Sequence, residues 1–178
     1  RKISFFIEAY KHTGQIPHIM FVAPKGTGKT AFAKALGRNL VTPTGKPKPL
    51  LEINCATIKT LKQFFNDLVV PHLTNRDATI LFDECSELPK DVTMALLTIL
   101  NPNKDNRTSF TYEDYTFECD FTRLSFIFAT TEAQDVFHAL MDRMERIDLQ
   151  DYSYDELGRI VADINEGQRW QGKVLSQM

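Results

Sequence analysis

The chain has 178 residues, 43% of them hydrophobic, and its 21 Lys and Arg against 23 Asp and Glu leave a formal net charge of −2. That is enough apolar material for one sizeable core and too little for a second full domain; no apolar run approaches the ~20 residues of a membrane span, and no secretory pattern opens the chain. The balance hides a division: residues 1–62 carry 11 basic groups against 2 acidic ones, net +9, and residues 63–178 carry 10 against 21, net −11, so a polyanion would prefer the first third.

Period and punctuation give helices alternating with short apolar strands. Residues 3–11 have helical spacing and stop at His12-Thr13-Gly14. A first strand is expected over 18–22 and a helix over 29–40, then a loop over 42–49 whose prolines exclude regular structure. A second strand follows at 50–54, a helix at about 59–69, a third strand at 79–82 and a helix at about 91–100. The run "TSFTYEDYTFECDF" alternates Phe110 and Tyr112, then Tyr115, Phe117, Cys119 and Phe121, about Glu113-Asp114, and reads as a β-hairpin. Strands four and five are expected at 124–129 and 147–149, and Ser153-Tyr154-Asp155-Glu156 reads as a capping box opening a last helix to about residue 164. Strand and helix alternating in this way predict an α/β fold: a five-stranded parallel sheet sandwiched by helices, with the hairpin inserted before strand four.

The stretch Ala23-Pro24-Lys25-Gly26-Thr27-Gly28-Lys29-Thr30 fits the phosphate-loop pattern G-x-x-x-x-G-K-[ST] except at its first position, where Ala23 stands for Gly. It lies between an expected strand and an expected helix, the context the pattern requires. Backbone N–H groups around Gly26 to Thr30 would wrap a β-phosphate, Lys29 would reach the β/γ-oxygens, and Thr30 would ligate Mg²⁺. About fifty residues on, "TILFDEC" sets Asp83 and Glu84 at the carboxyl end of strand three, the edge where open α/β sheets bind ligands. Asp83 would join the Mg²⁺ shell, through water, and Glu84 would orient and deprotonate a water attacking a γ-phosphate. The plainer readings are a glycine turn that starts an ordinary helix and a solvated pair of acids; the two motifs occurring together count against both.

These residues resemble the AAA+ ATPases, and the likeness runs through nearly the whole chain. It is carried by "FFIEAYKHTGQIPHIMFVAPKGTGKT", "INCATIKTLKQFFNDL", "ATILFDECSELPKDVTMALLTIL" and "LSFIFATTEAQDVFHALMDRMERIDL". Within the superfamily the chain looks most like RuvB-type branch-migration motors, with clamp-loader ATPases next. The resemblance implies ATP and Mg²⁺ as cofactors, with Pro24, Lys25, Gly26, Thr27, Gly28, Lys29, Thr30 and Asp83 binding ATP. It also implies Thr131 as the sensing polar residue, contacting the γ-phosphate or the attacking water, and Arg143 as an arginine finger acting on the ATP of a neighbouring subunit in a homo-oligomeric ring or arc. Arg146 is the rival for that role, and either arginine could instead pair with Asp142 or Glu145. Residues 1–150 are then the ATPase domain and 151–178 the start of a helical lid, with the adenine-holding segment and most of the lid missing. The sequence, opening on Arg1, is expected to be a piece of a longer chain.

The loop after strand two has no aromatic grip. Thr57, Lys59 and Lys62 suit phosphate contacts, which hold a nucleic-acid backbone without reading sequence; a helix cap at Thr57 and two solvated lysines are the plainer reading. Hairpin 108–121 carries four acids and aromatic residues, so it is expected either to contact a protein partner or to pack on its own domain. Cys55, Cys85 and Cys119 are odd in number and widely spaced, which predicts reduced thiols and neither disulfide nor zinc. The expected location is cytoplasmic, or nucleoid or nuclear with DNA. Three functions follow in order: a RuvB-like motor on branched or duplex DNA, a clamp or helicase loader, and a nucleotide-binding assembly subunit that hydrolyses little. Glu84 and Arg143 together count against the third.

Overall fold

The structure is a computed structural model describing residues 18–24, 29–38, 46, 48–74, 76–100, 107–112, 115–120, 124–136, 138–149, 153, 155, 156, 158 and 159. The helix expected at 3–11, most of the loop at 42–49 and the end of the last helix lie outside these residues. In chain order the elements are β1 (Ile19–Val22), α1 (Lys29–Arg38), β2 (Leu50–Asn54), α2 (an α-helical turn Leu61–Gln63 continuing as a π-helix Phe64–Leu73) and β3 (Ala78–Asp83). After them come α3 (Lys90–Leu100), β4 (Arg107–Tyr112), β5 (Tyr115–Asp120), β6 (Leu124–Thr130), α4 (His138–Met141) and β7 (Glu145–Asp148).

Five strands form one parallel sheet in the order β2-β3-β6-β1-β7, and β4 pairs with β5 as a separate antiparallel hairpin. Parallel strands need crossovers, and crossovers cover the sheet, so its inner strands are mostly apolar. β1 is buried along its whole length and β3 from Ala78 to Phe82, whereas the outer strand β2 alternates half-buried and exposed positions. The register sets Phe82 beside Phe128, and their rings stack at 5.0 Å with 11° between planes. Phe126 stacks on Phe82 at 6.3 Å, and Phe32 of α1 meets Phe21 edge-on at 5.1 Å. Aromatic side chains carry much of the apolar area of such a core, and Phe21, Phe64, Phe65, Phe82 and Phe128 are among its largest fully buried members.

Two expected boundaries move for local reasons. The helix expected at 59–69 begins at Leu61, because Thr60, not Thr57, caps it: Thr60 Oγ1 accepts from Gln63 N–H at 3.0 Å, while the Gln63 amide reaches back to Lys59 N–H and the Thr57 carbonyl. It then runs on to Leu73 with Phe64, Phe65, Val69 and Leu73 buried, steps of four and five that suit a turn wider than the ~3.6 residues of an α-helix. Pro71 is carried inside this stretch, which ends where Thr74 N–H bonds the Val69 carbonyl at 3.0 Å. The last strand starts at Glu145, two residues before the expected 147, since Glu145 N–H bonds the His18 carbonyl at 2.8 Å and pairs with Ile19. Beyond it, the expected capping box is formed: Ser153 N–H donates to Glu156 Oε1 at 3.1 Å and Glu156 N–H to Ser153 Oγ at 3.2 Å.

The amino edge of the sheet holds two titratable groups in poor solvent. His18 has a buried Nδ1 with no hydrogen-bond partner among the described residues and lies edge-on to Phe126 at 5.6 Å, and burial lowers its pKa to about 4. Lys48 donates to Ser125 Oγ at 3.0 Å; burial lowers its pKa and the nearby Asp77 carboxylate works against that shift.

Candidate functional site

The site is built where the strands end. Val22, Asn54, Asp83 and Thr130 close β1, β2, β3 and β6, and the register pairs Val22 with Thr130, Asn54 with Asp83 and Asp83 with Ala129. The loops leaving these strands therefore open on one edge of the sheet. Ala23, buried, leaves β1 with its N–H on the Thr130 carbonyl at 3.2 Å, and Pro24 is exposed. Lys25, Gly26, Thr27 and Gly28 lie outside the described residues, as does the side chain of Lys29, which opens α1.

Two side-chain pairs cross this edge. Thr30, in the first turn of α1, donates its hydroxyl to both oxygens of Asp83 at 3.3 and 3.2 Å. Thr131, just past β6, donates to Glu84 Oε2 at 3.4 Å. Adjacent carboxylates thus serve different partners, and the backbone between them is the reason. Glu84 has φ 56° and ψ 57°, and among the described residues it is the one non-glycine residue with positive φ. That left-handed turn separates the two carboxylates and starts the short 3₁₀ turn Cys85–Glu87. It costs roughly 1–2 kcal/mol for a residue bearing a Cβ, and such strain gathers at functional sites.

The hydroxyl of Thr30 and the carboxylate of Asp83 are hard oxygen donors that fit Mg²⁺ and suit soft metals badly. Among the described residues no three His, Cys, Asp or Glu side chains form a metal cluster of their own. Mg²⁺ here would take its remaining ligands from water and phosphate, as it commonly does. Beneath this edge Cys55 and Cys85 are buried thiols outside any disulfide, with Cys85 Sγ 3.6 Å from Met20 Sδ. Burial pushes the Cys55 thiol strongly up, and neighbouring Cys85, Asp83 and Glu84 add to that.

The other expected residues lie apart. Arg143 lies between α4 and β7, two residues before the Glu145–Ile19 pair that opens the pairing of β7 with β1. It is exposed and donates Nη1 to the Ala139 carbonyl at 3.0 Å; among the described residues no carboxylate pairs with it. Arg146 is committed: its Nε and Nη2 hold Asp148 at 3.0–3.2 Å, not Asp142 or Glu145. Thr57, Lys59 and Lys62 are all exposed on the loop and first helical turn after β2, with the Thr57 hydroxyl donating to the Asn54 carbonyl at 2.7 Å. Sequence reasoning missed Thr130, which is fully buried and whose hydroxyl accepts the Glu132 N–H at 3.1 Å. A threonine ending an apolar strand carries no signal that separates it from an ordinary strand residue.

Residues 19–152 match the family described as "ATPase family associated with various cellular activities (AAA)". The chain belongs to the AAA family. Its cofactors are accordingly ATP and Mg²⁺, and it is an ATPase domain. Among curated proteins this AAA chain is similar to the Lon protease of Mycoplasma mobile, 26% identical over 172 residues, covering 87% of the chain and 20% of that protein. It is also similar to the Lon protease of Chloroflexus aggregans, 30% identical over 152 residues, covering 79% and 18%. The chain spans about a fifth of the length of these relatives. Among solved structures, a closed-state cryo-EM reconstruction of Hsp104 with ATPyS and FITC casein matches with a TM-score of 0.57 at 17% identity, covering 82% of the AAA chain and 29% of the other, which bears on the fold alone. No helix among the described residues is long and apolar enough to cross a membrane.

Proposed function

We propose that the chain is the ATP-hydrolysing unit of an oligomeric AAA motor whose sites form between subunits and which remodels a polymer substrate. The observation that carries this is the pair of contacts at one sheet edge, Thr30 to Asp83 and Thr131 to Glu84. In this reading the loop from Pro24 through Lys25, Gly26, Thr27 and Gly28 to Lys29 and Thr30 cradles the phosphates. Thr30 and Asp83 hold Mg²⁺, which when bound neutralises charge on the phosphate oxygens. Glu84 orients the attacking water and accepts its proton, while Thr131 steadies the Glu84 carboxylate. Arg143, exposed at the end of α4, serves the ATP of a neighbouring copy; such fingers contribute ~10³–10⁵ in rate in well-studied NTPases. A ring or arc is the assembly this requires. Residues 1–150 form the ATPase domain, and 151–178 open a lid that starts at the Ser153–Glu156 capping box.

The polymer favoured by the likeness to Lon proteases is a protein chain, threaded or unfolded for a partner activity elsewhere in the molecule. Hairpin 108–121 is then a surface for a protein contact. A second reading keeps DNA as the substrate, in the manner of a RuvB-type motor or a clamp loader. It is favoured by exposed Thr57, Lys59 and Lys62 on the loop after β2, in the basic third of the chain. ATP hydrolysis by the full-length protein, measured against protein concentration with unfolded casein, duplex DNA and branched DNA, tests both. A rate rising more than linearly with concentration and abolished by Glu84→Gln or Arg143→Ala is expected. Stimulation by casein supports the protein reading, and stimulation by DNA that fades in Lys59→Ala/Lys62→Ala supports the second. Mixing Glu84→Gln with Arg143→Ala subunits should restore part of the rate, since some interfaces then hold both intact groups; no restoration would overturn the between-subunit site.

A further inference from the structure

We infer that Thr130 is a positioning residue for ATP hydrolysis, joining the entry of the phosphate loop to the threonine that faces Glu84. The inference rests on the reading of Glu84 and Thr131 given above. Thr130 ends β6, between β3 and β1, and is fully buried. Its carbonyl accepts the Ala23 N–H at 3.2 Å, at the residue where β1 turns into the phosphate loop. Its hydroxyl accepts the Glu132 N–H at 3.1 Å, pinning the turn in which Thr131 sits. Thr131 in turn donates to Glu84 Oε2 at 3.4 Å. One buried residue therefore fixes both the start of the phosphate loop and the direction of the Glu84-facing hydroxyl, and the two attachments use different atoms.

The separation of atoms makes the roles separable. Thr130→Val keeps the carbonyl and nearly the same volume and removes the hydroxyl, so the Ala23 bond survives and the Glu132 N–H loses its partner. Nucleotide binding should then hold while the turnover step suffers. Losing one positioning hydrogen bond of about 1.4 kcal/mol corresponds to a roughly tenfold fall in kcat. Thr130→Ser restores the hydroxyl and should restore the rate.

The experiment is steady-state ATP hydrolysis and equilibrium ATP binding by the assembled full-length protein carrying Thr130→Val, Thr130→Ser, Thr130→Cys or Thr131→Ala. Expected are a kcat for Thr130→Val about tenfold below wild type with KM and ATP affinity within about twofold, near wild-type values for Thr130→Ser, and a low kcat for Thr131→Ala. If Thr130→Val does not accumulate as folded protein, Thr130→Cys, a weak acceptor, supplies the comparison and should fall between Ser and Thr131→Ala. A Thr130→Val or Thr130→Cys enzyme with unchanged kcat, or one whose loss lies in KM alone, overturns the inference while leaving the function of Glu84 intact. If instead Thr131→Ala and Glu84→Gln hydrolyse ATP like wild type, the underlying reading fails and this inference falls with it.

Discussion

Replacing Glu84 by glycine should make the domain more stable than replacing it by alanine, although both changes remove the carboxylate. Glu84 holds φ 56° and ψ 57°, a left-handed conformation in which a Cβ crowds the backbone at a cost of roughly 1–2 kcal/mol. Alanine keeps that cost and glycine removes it, while the greater freedom of glycine in the unfolded chain takes back ~0.5–1 kcal/mol. Both variants lose the contact with Thr131, long for a hydrogen bond at 3.4 Å, so it cancels in the comparison. The net expectation is about 0.5–1 kcal/mol in favour of glycine, a rise of ~1–4 °C in the midpoint for a domain of this size. The assay is thermal denaturation of Glu84→Gly and Glu84→Ala side by side, with denaturant titration giving the free-energy difference. A glycine variant no more stable than the alanine variant would refute the argument that backbone strain is stored beside the two carboxylates. Neither variant should hydrolyse ATP, so the stabler protein would be an inactive one, as a trade between stability and activity implies.

Other expectations concern the buried groups around the sheet. The His18 pKa is depressed from 6.5 to about 4, so the unfolded chain takes up a proton first as pH falls; stability present above pH 6.5 should decline by up to ~3 kcal/mol toward pH 4, and His18→Phe should flatten that slope in denaturant titrations. Thr79 is buried in β3 with no hydrogen-bond partner for its hydroxyl among the described residues; Thr79→Val keeps its shape and should raise stability by ~1–2 kcal/mol, read as a higher midpoint. Phe82→Ala, removing the ring stacked on Phe128 and Phe126, should cost ~3–5 kcal/mol and yield little folded protein at 37 °C. Cys55 and Cys85 should resist a thiol-exchange reagent in the native protein and react on unfolding, because both are buried and burial raises the Cys55 pKa.

Much of the fold was legible in the chain because parallel strands buried on both faces are predominantly apolar. The runs at 19–22, 78–83 and 124–130 are mostly apolar and short enough to be such strands, and the loop after the first of them fits the phosphate-loop pattern in sequence except at Ala23. The edge of the sheet carrying Asp83 and Glu84 was equally legible, since the end of a parallel strand is a fixed address in such folds. The likeness to AAA+ ATPases named the family correctly. Its finer leaning toward a RuvB-type DNA motor is not supported by the relatives, which are named Lon protease.

What only the tertiary structure decided are relations between residues far apart in sequence. Thr30 meets Asp83 across 53 positions and Thr131 meets Glu84 across 47, distances that no local period encodes. The left-handed backbone of Glu84 belongs to the same class: nothing about a glutamate in "FDEC" calls for it, and the surrounding sheet edge imposes it. The wide turns of α2 around Pro71 arise because a buried row, not a helix propensity, fixes the pitch. Arg146 joined to Asp148 and Arg143 left exposed likewise follow from β7 pairing with β1, which set the register two residues earlier than the apolar pattern alone suggested. Local sequence determines which segments become strands and helices, because burial and hydrogen-bonding demands act residue by residue. The pairing of those segments determines which side chains meet, because register and crossover are properties of the assembled sheet.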